Sequence, residues 1–91
     1  MTTTAEKPKR TGPRAHHFRS NNGEYILAPI KTKFNEVLWQ ITWVSSVGPI
    51  RLTSLGTPAN DGHAIPYYAD ALVAIKRHAR QMGDSWIEEF V

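Results

Sequence analysis

The nine residues 37–45, VLWQITWVS, decide the fold that this sequence predicts. One face of the segment is apolar and aromatic, with Val37, Trp39, Ile41 and Trp43. The other face is mixed, with Leu38, Gln40, Thr42 and Val44. A period of two is typical of a β-strand. Because two tryptophans share one face, we expect another element to cover that face.

The segments on either side of this strand predict two more strands. Residues 24–34, EYILAPIKTKF, are rich in strand formers, although Pro29 cannot donate a ladder hydrogen bond and favours an edge or a bulge. Residues 50–55, IRLTSL, follow a turn at 46–49 and place Ile50 and Leu52 on one face. The three strands predict an antiparallel meander.

A helix is predicted between Pro66, which suits a first helical position, and Met82, before the stop signal Gly83. Its apolar stripe comprises Tyr68, Leu72, Ile75, Ala79 and Met82. Residues 85–91 can add a short fourth strand. The expected fold is therefore α+β, a three-stranded antiparallel meander packed on one α-helix, which covers the tryptophan face and leaves the reverse face open.

Length and composition limit the organisation of the chain. Its 91 residues suit one core, and the turn signal Asn21-Asn22-Gly23 opens a single predicted domain over residues 21–91. Residues 1–20 lack apolar periodicity and predict a disordered arm. Cysteine is absent, which excludes disulfides and Cys-based zinc sites. No apolar run approaches membrane-spanning length and no signal peptide is recognisable, so we expect a cytoplasmic protein.

The positive charge is concentrated in the arm. Residues 1–19 hold five basic groups against one acidic group, a net charge of +4, whereas residues 20–91 carry −1. The basic residues of the arm are Lys7, Lys9, Arg10, Arg14 and Arg19. A basic arm on a near-neutral domain suits loose attraction to nucleic-acid phosphates, although a solvated polar tail has the same composition.

The open sheet face is the main candidate site. If the alternation sets the register, this face gathers Lys31, Lys33, Gln40, Thr42, Arg51 and Thr53. Lys and Arg attract phosphates, and Gln, Thr and Arg contact base edges. A solvated sheet face without any ligand has a similar composition, so this alternative stays open.

Catalytic, metal and cofactor sites are not expected. The four histidines, His16, His17, His63 and His78, have no partners at convincing metal-ligand spacing. No nucleophile or acid–base arrangement stands out, and there is no phosphate-binding glycine loop. The basic residues Lys76, Arg77 and Arg80 complement the negative end of the helix, and we expect His78 to be exposed among them.

Three pieces of the chain resemble a group of small DNA-binding modules. These pieces are Trp39-Gln40-Ile41, the run RLTSLGT at 51–57, and Tyr68-Ala69-Asp70-Ala71-Leu72. The order is similar to that of AP2-type domains and of the arm-binding domains of phage and transposon integrases. The resemblance implies a three-stranded sheet with one helix, and DNA lying on the sheet face against Gln40, Thr42, Arg51 and Thr53.

Two functions follow as hypotheses. The first is a small DNA- or RNA-binding accessory protein that uses the open sheet face and the basic arm. The second is a protein-binding module, such as a phage or mobile-element accessory protein or inhibitor that docks on a larger host protein through Trp86 and Phe90. A positive sheet face favours nucleic acid, whereas an exposed apolar patch favours a protein partner.

Overall fold

The elements form in an order that the sequence patterns largely anticipate. The computed structural model describes residues 14–59, 63–84 and 86–90. Five strands and one helix are present there: β1 His16–Ser20, β2 Gly23–Lys31, β3 Val37–Ser45, β4 Gly48–Leu52, α1 Tyr68–Gln81 and β5 Glu88–Phe90. All strand pairs are antiparallel, in the order β4-β3-β2-β1-β5. The predicted class, α+β with an antiparallel sheet, is confirmed.

The strand count differs from the prediction because β1 forms from residues assigned to the arm. His16–Ser20 pairs with both β2 and β5, and Phe18 enters the core with 6% of its surface exposed. The Asn21-Asn22-Gly23 turn therefore joins two strands instead of opening the domain. The expectation of disorder was wrong for residues 16–20, while residues 1–13 lie outside the described part of the chain.

The tryptophan face of the sheet carries the core, as predicted. Tyr25 is aligned with Trp43, and Leu27 with Ile41, across the two central strands. The buried apolar residues are Phe18, Tyr25, Leu27, Trp39, Ile41, Trp43, Leu52, Ile65, Ala71, Ala74, Ile75 and Ala79. Helix α1 packs on this face over β2 and β3. Burial of these apolar side chains between α1 and the sheet supplies the main stabilising free energy of the fold.

Helix α1 is rotated relative to the predicted stripe. Its buried residues are Ala71, Ala74, Ile75, His78 and Ala79. Tyr68 and Leu72 pack at the margin of the core, and Met82 is exposed. Alanines at the contact allow the helix backbone to approach the aromatic side chains of the sheet. His78 was predicted to be exposed, and this was wrong because the rotation turns it inward.

The end of α1 is a tight reversal that fixes the position of Asp84. Gly83, at φ 88°, lies in the left-handed region and follows the helix, as predicted. The Asp84 N–H donates to Ala79 O at 2.9 Å, and the Gly83 N–H donates to Arg80 O at 3.0 Å. Both bonds satisfy carbonyls at the helix end. Among the described residues, no helix is long and apolar enough to cross a membrane.

The connection from β4 to α1 runs along the edge of the sheet. Ile65 and Trp39 exchange two backbone hydrogen bonds, of 2.8 and 2.7 Å, where β3 extends beyond β4. The Ala59 N–H donates to Arg51 O at 2.8 Å, so this connection also pairs with the outer side of β4. Of the predicted loop at 56–65, residues 60–62 lie outside the described part.

Candidate functional site

The open face of the sheet brings together three of the six strand residues predicted to bind nucleic acid. Thr42 is aligned with Arg51 on one side and with Ile26 on the other, and Gln40 is aligned with Ala28. All these positions alternate with the buried residues of their strands. Gln40, Thr42 and Arg51 therefore face away from α1, as expected.

The two lysines predicted for this face lie elsewhere. Lys31 is aligned with Val37, which puts it on the tryptophan side of the sheet. The inward face of β2 is set by the buried Tyr25 and Leu27, so Lys31 follows their parity. Lys33 lies beyond β2 in the loop to β3, where its ammonium sits 5.3 Å from the Phe34 ring. The predicted placement of both lysines was wrong.

Thr53 also lies outside the sheet. It follows the last residue of β4. Its hydroxyl oxygen accepts hydrogen bonds from the backbone N–H groups of Leu55 and Thr57, at 3.1 and 3.3 Å. The Thr53 and Thr57 hydroxyls are 2.8 Å apart. The Thr53 side chain therefore stabilises a turn.

The charges on the open face are balanced. Arg19 of β1 lies 3.5 Å from Glu88 of β5 and stacks 5.1 Å above the ring of Phe90. Glu24 is aligned with Arg19 on the same face. Arg51 has no carboxylate within salt-bridge distance among the described residues. Among the described residues, two guanidinium groups thus share the face with two carboxylates, so the face lacks the excess of positive charge that favours nucleic acid.

An apolar strip occupies the centre of the same face. It consists of Ile26, Ala28 and Ile30 of β2 with Leu38 and Val44 of β3, and we call it the open-face strip. On β3 the polar Gln40 and Thr42 lie between Leu38 and Val44, so the uninterrupted apolar row is that of β2. Four of these side chains are half-buried, and Val44 is 38% exposed. A signal for it was present in the sequence, because the run YILAPI at 25–30 is apolar at successive positions and not only at alternate ones. Strands with that pattern are typically buried on both faces.

The remaining predicted residues are scattered. Arg14 is exposed before β1, and Lys7, Lys9 and Arg10 lie outside the described residues.

Phe90 is aligned with His17 on the open face, with the two rings 6.0 Å apart. Trp86 instead lines a cleft beside α1. The two C-terminal aromatic residues therefore belong to different surfaces.

A buried polar cluster lies under α1, and no pattern in the sequence predicted it. The Tyr25 hydroxyl and His78 Nδ1 are 2.8 Å apart, and the Trp43 and His78 rings are 4.4 Å apart. The Trp43 indole N–H donates to Asn22 O at 3.3 Å. The Asn22 amide donates to Asp84 Oδ1 at 2.9 Å and to Met82 O at 3.0 Å. The cluster thus joins the β1–β2 turn to the end of α1.

Burial controls the ionisation of this cluster. Burial lowers the pKa of His78, although the nearby Asp84 carboxylate opposes that effect. Burial also raises the pKa of Tyr25 to about 12. Burial raises the pKa of Asp84, but the Ser20 hydroxyl and the side-chain and backbone N–H groups of Asn22 outweigh it and lower the pKa overall. Tyr25 is fully buried and His78 is 4% exposed, so the cluster belongs to the packing between the sheet and α1.

The lowered pKa of His78 predicts acid destabilisation. As pH falls below about 6.5, the unfolded chain binds a proton at His78 more readily than the folded chain does. The free energy of unfolding should then decrease, by at most about 1.4 kcal/mol per pH unit from this residue. Urea unfolding between pH 7.5 and 5.5 measures the slope. His78→Gln should flatten it, and equal slopes in both proteins would contradict the assignment.

A second cleft, of about 320 Å³, lies where β1 meets β5. Its lining residues are Arg14, Ala15, His16, His17, Glu89 and Phe90. Within it His16 Nδ1 lies 2.7 Å from Glu89 Oε2. The described residues form no group of three or more potential metal ligands.

Comparisons with known proteins leave the resemblance to AP2-type and integrase arm-binding domains as a prediction. Family models, curated proteins and solved structures were all compared with this chain, and none of them matches it.

Proposed function

We propose that this chain is a protein-binding module that docks one amphipathic helix of a larger partner on the open-face strip. The observation that supports it is the strip itself, five apolar side chains on the two central strands that face away from α1. Sheet faces left to solvent are ordinarily polar. Contiguous apolar side chains at the surface are typical of binding sites.

The dimensions of the strip suit a single helix. From Leu38 to Val44 it spans six residue steps, roughly 20 Å at about 3.3 Å per residue in a strand. A helix of about 13 residues has that length, and its diameter of about 10 Å covers two neighbouring strands. On the other face, the 14 residues of α1 already cover β2 and β3 in this way.

A second copy of the chain fits the strip less well. Two strands over about 20 Å present on the order of 300 Å², well below the roughly 800 Å² per partner of a standard stable interface. Apart from Phe90, the outer rows of the face carry mainly charged side chains, such as Arg19, Glu88 and Arg51, so they add little apolar area to a flat sheet-to-sheet contact. We therefore assign the strip to a partner helix.

The charged residues beside the strip indicate which charges the partner helix should carry along its flanks. Arg51 of β4 has no acidic neighbour in the described part of the chain, whereas Arg19 is already paired with Glu88. An acidic residue on the β4 side of the partner helix would pair with Arg51. Such a pair at the rim contributes more to orientation and association rate than to affinity.

Nucleic acid is less well supported on this face. Phosphate binding depends on an excess of Lys and Arg. Here two arginines are offset by Glu24 and Glu88, while Lys31 and Lys33 lie off the face. The basic residues at positions 7, 9 and 10 lie outside the described residues, and by charge they suit salt-sensitive attraction to an acidic partner.

A titration of the isotopically labelled full chain tests the proposal. The probe is a designed 14-residue helical peptide with Leu on one face and Glu along one flank. We expect shifts at Ile26, Ile30, Leu38 and Arg51. Ile30→Glu and Leu38→Glu should each weaken binding at least tenfold, because each buries a carboxylate under the helix. Phe34→Glu is the matched control, since Phe34 is 74% exposed and lies off the strip.

Three outcomes would overturn the helix assignment. The first is peptide-induced shifts on α1 in place of the strip. The second is a monomer–dimer equilibrium in sedimentation that Leu38→Glu abolishes, which would assign the strip to a second copy. The third is that a duplex or a single-stranded oligonucleotide shifts the strip residues while the peptide does not. Thermal melts of all variants confirm that the fold is retained.

A further inference from the structure

A cleft of about 300 Å³ lies between the last turns of α1 and the segment that leads into β5. It is lined by Lys76, Ala79, Arg80, Asp84, Trp86 and Ile87. Lys76 and Arg80 are one helical turn apart and therefore project on the same side of α1. Neither forms an ion pair with a carboxylate among the described residues. Trp86 is 42% exposed, in contrast to the buried Trp39 and Trp43.

Complementing the helix end does not account for this arrangement. The carbonyls of Ala79 and Arg80 already accept the N–H groups of Asp84 and Gly83, and the Met82 carbonyl accepts the Asn22 amide. Lys76 and Arg80 are not needed to satisfy these groups. Trp86 lines the same cleft and is 42% exposed.

The chemistry of the walls specifies a ligand with two parts. An exposed indole binds a flat aromatic ring by stacking, and this preference tolerates any base. An arginine with a lysine one turn away binds a phosphate, because the guanidinium donates two parallel hydrogen bonds to its oxygens. The Asp84 carboxylate also lines the cleft and repels an anion, so the phosphate is favoured near Lys76 and Arg80.

We propose that this cleft binds one phosphorylated nucleoside unit, with its base stacked on Trp86 and its phosphate between Lys76 and Arg80. The volume lies at the lower end for small-molecule pockets and suits a single unit. The unit comes either from a free nucleotide or from an unpaired position in a single strand. Bases within a duplex are stacked on each other and cannot stack on Trp86. This site is separate from the open-face strip and does not depend on it.

The indole N–H resonances of the labelled full chain provide the readout. The probes are adenosine monophosphate, adenosine, inorganic phosphate, an eight-residue single strand and a duplex of the same length. We expect saturable shifts of the Trp86 signal with the nucleotide, and binding at least tenfold weaker with adenosine or phosphate alone. The Trp39 and Trp43 signals should stay nearly constant because both rings are buried.

Variants separate specific binding from charge attraction. Arg80→Gln and Trp86→Leu should each weaken nucleotide binding at least tenfold. Arg77→Gln is the control, since Arg77 is an exposed cation of α1 that does not line the cleft. If the single strand binds more tightly than the nucleotide and shows the same losses, the source is nucleic acid. If only the nucleotide binds, the source is a free nucleotide.

The proposal is overturned if no probe shifts the Trp86 signal. It is also overturned if Arg77→Gln weakens binding as much as Arg80→Gln does, or if the duplex binds as well as the single strand. Either result would mean that charge alone attracts the probe. These outcomes leave the helix-docking proposal unaffected, because that test uses other residues on the opposite side of the sheet.

Discussion

Deleting residues 1–19 should abolish cooperative folding, because the deletion removes nearly all of β1. This strand provides five residue pairs to β2 and three to β5, and within the described part of the chain β5 pairs with no other strand. The loss of buried Phe18 alone costs about 3–5 kcal/mol. A chain of this size has a total stability of about 5–14 kcal/mol. Without β1, Tyr25 and Leu27 would also lose the cover of their neighbouring strand.

The measurement is thermal unfolding followed by circular dichroism and by tryptophan fluorescence. Deletion of residues 1–13 is the matched control, since it removes four of the basic and acidic side chains of the arm but none of the described strand pairs. We expect a cooperative transition for the shorter deletion and none for the longer one. A sharp transition in the 1–19 deletion, near that of the full chain, would show that β1 is dispensable.

The same strand marks the limit of what the sequence predicts about the fold. The segments that became β2, β3, β4 and α1 have strong local patterns, and the structure contains elements at those places. In β1, HHFRS, Phe18 is the only apolar residue, so the segment resembles a polar arm. Its strand conformation depends on pairing with β2 and β5, and a local pattern does not report such pairing.

The candidate site was only partly predictable because a one-residue error in strand parity exchanges the two faces. The alternation in KTKF at 31–34 suggested that Lys31 faces outward. The buried Tyr25 and Leu27, however, fix the parity of β2 and place Ile26 and Ile30 on the open face. Both faces of this strand are apolar, so its composition could not distinguish them.

The burial of His78 was not predicted, for a related reason. The predicted helix stripe consists mostly of large apolar residues, whereas three of the five buried helix residues are alanines. Small residues carry little hydrophobic signal, yet they let the helix approach the sheet and turn His78 toward Tyr25. The cleft at Trp86 requires the end of α1 and the start of β5 to meet, and no spacing along the chain indicates that contact.

Gly23→Ala should destabilise the protein by about 3–4 kcal/mol, a large effect for one added methyl group. Gly23 has a φ of 133°, a backbone angle that residues with a Cβ rarely adopt. A Cβ at this position would also collide with the backbone carbonyl oxygen of Val44 and lie 3.2 Å from Trp43 Nε1. The carbonyl belongs to β3 and has no rotamer to change, so the β2–β3 pairing must shift.

Gly48→Ala separates the two causes of this loss. Gly48 also has a positive φ, of 114°, but a Cβ there would meet nothing within 4 Å. We expect a cost of about 1–2 kcal/mol from backbone strain alone. Urea unfolding of both variants at the same pH gives the difference, which measures the steric contact with β3. Equal losses would mean that the β1–β2 turn moves away freely, and the tight coupling of this turn to Trp43 and Asp84 would then be wrong.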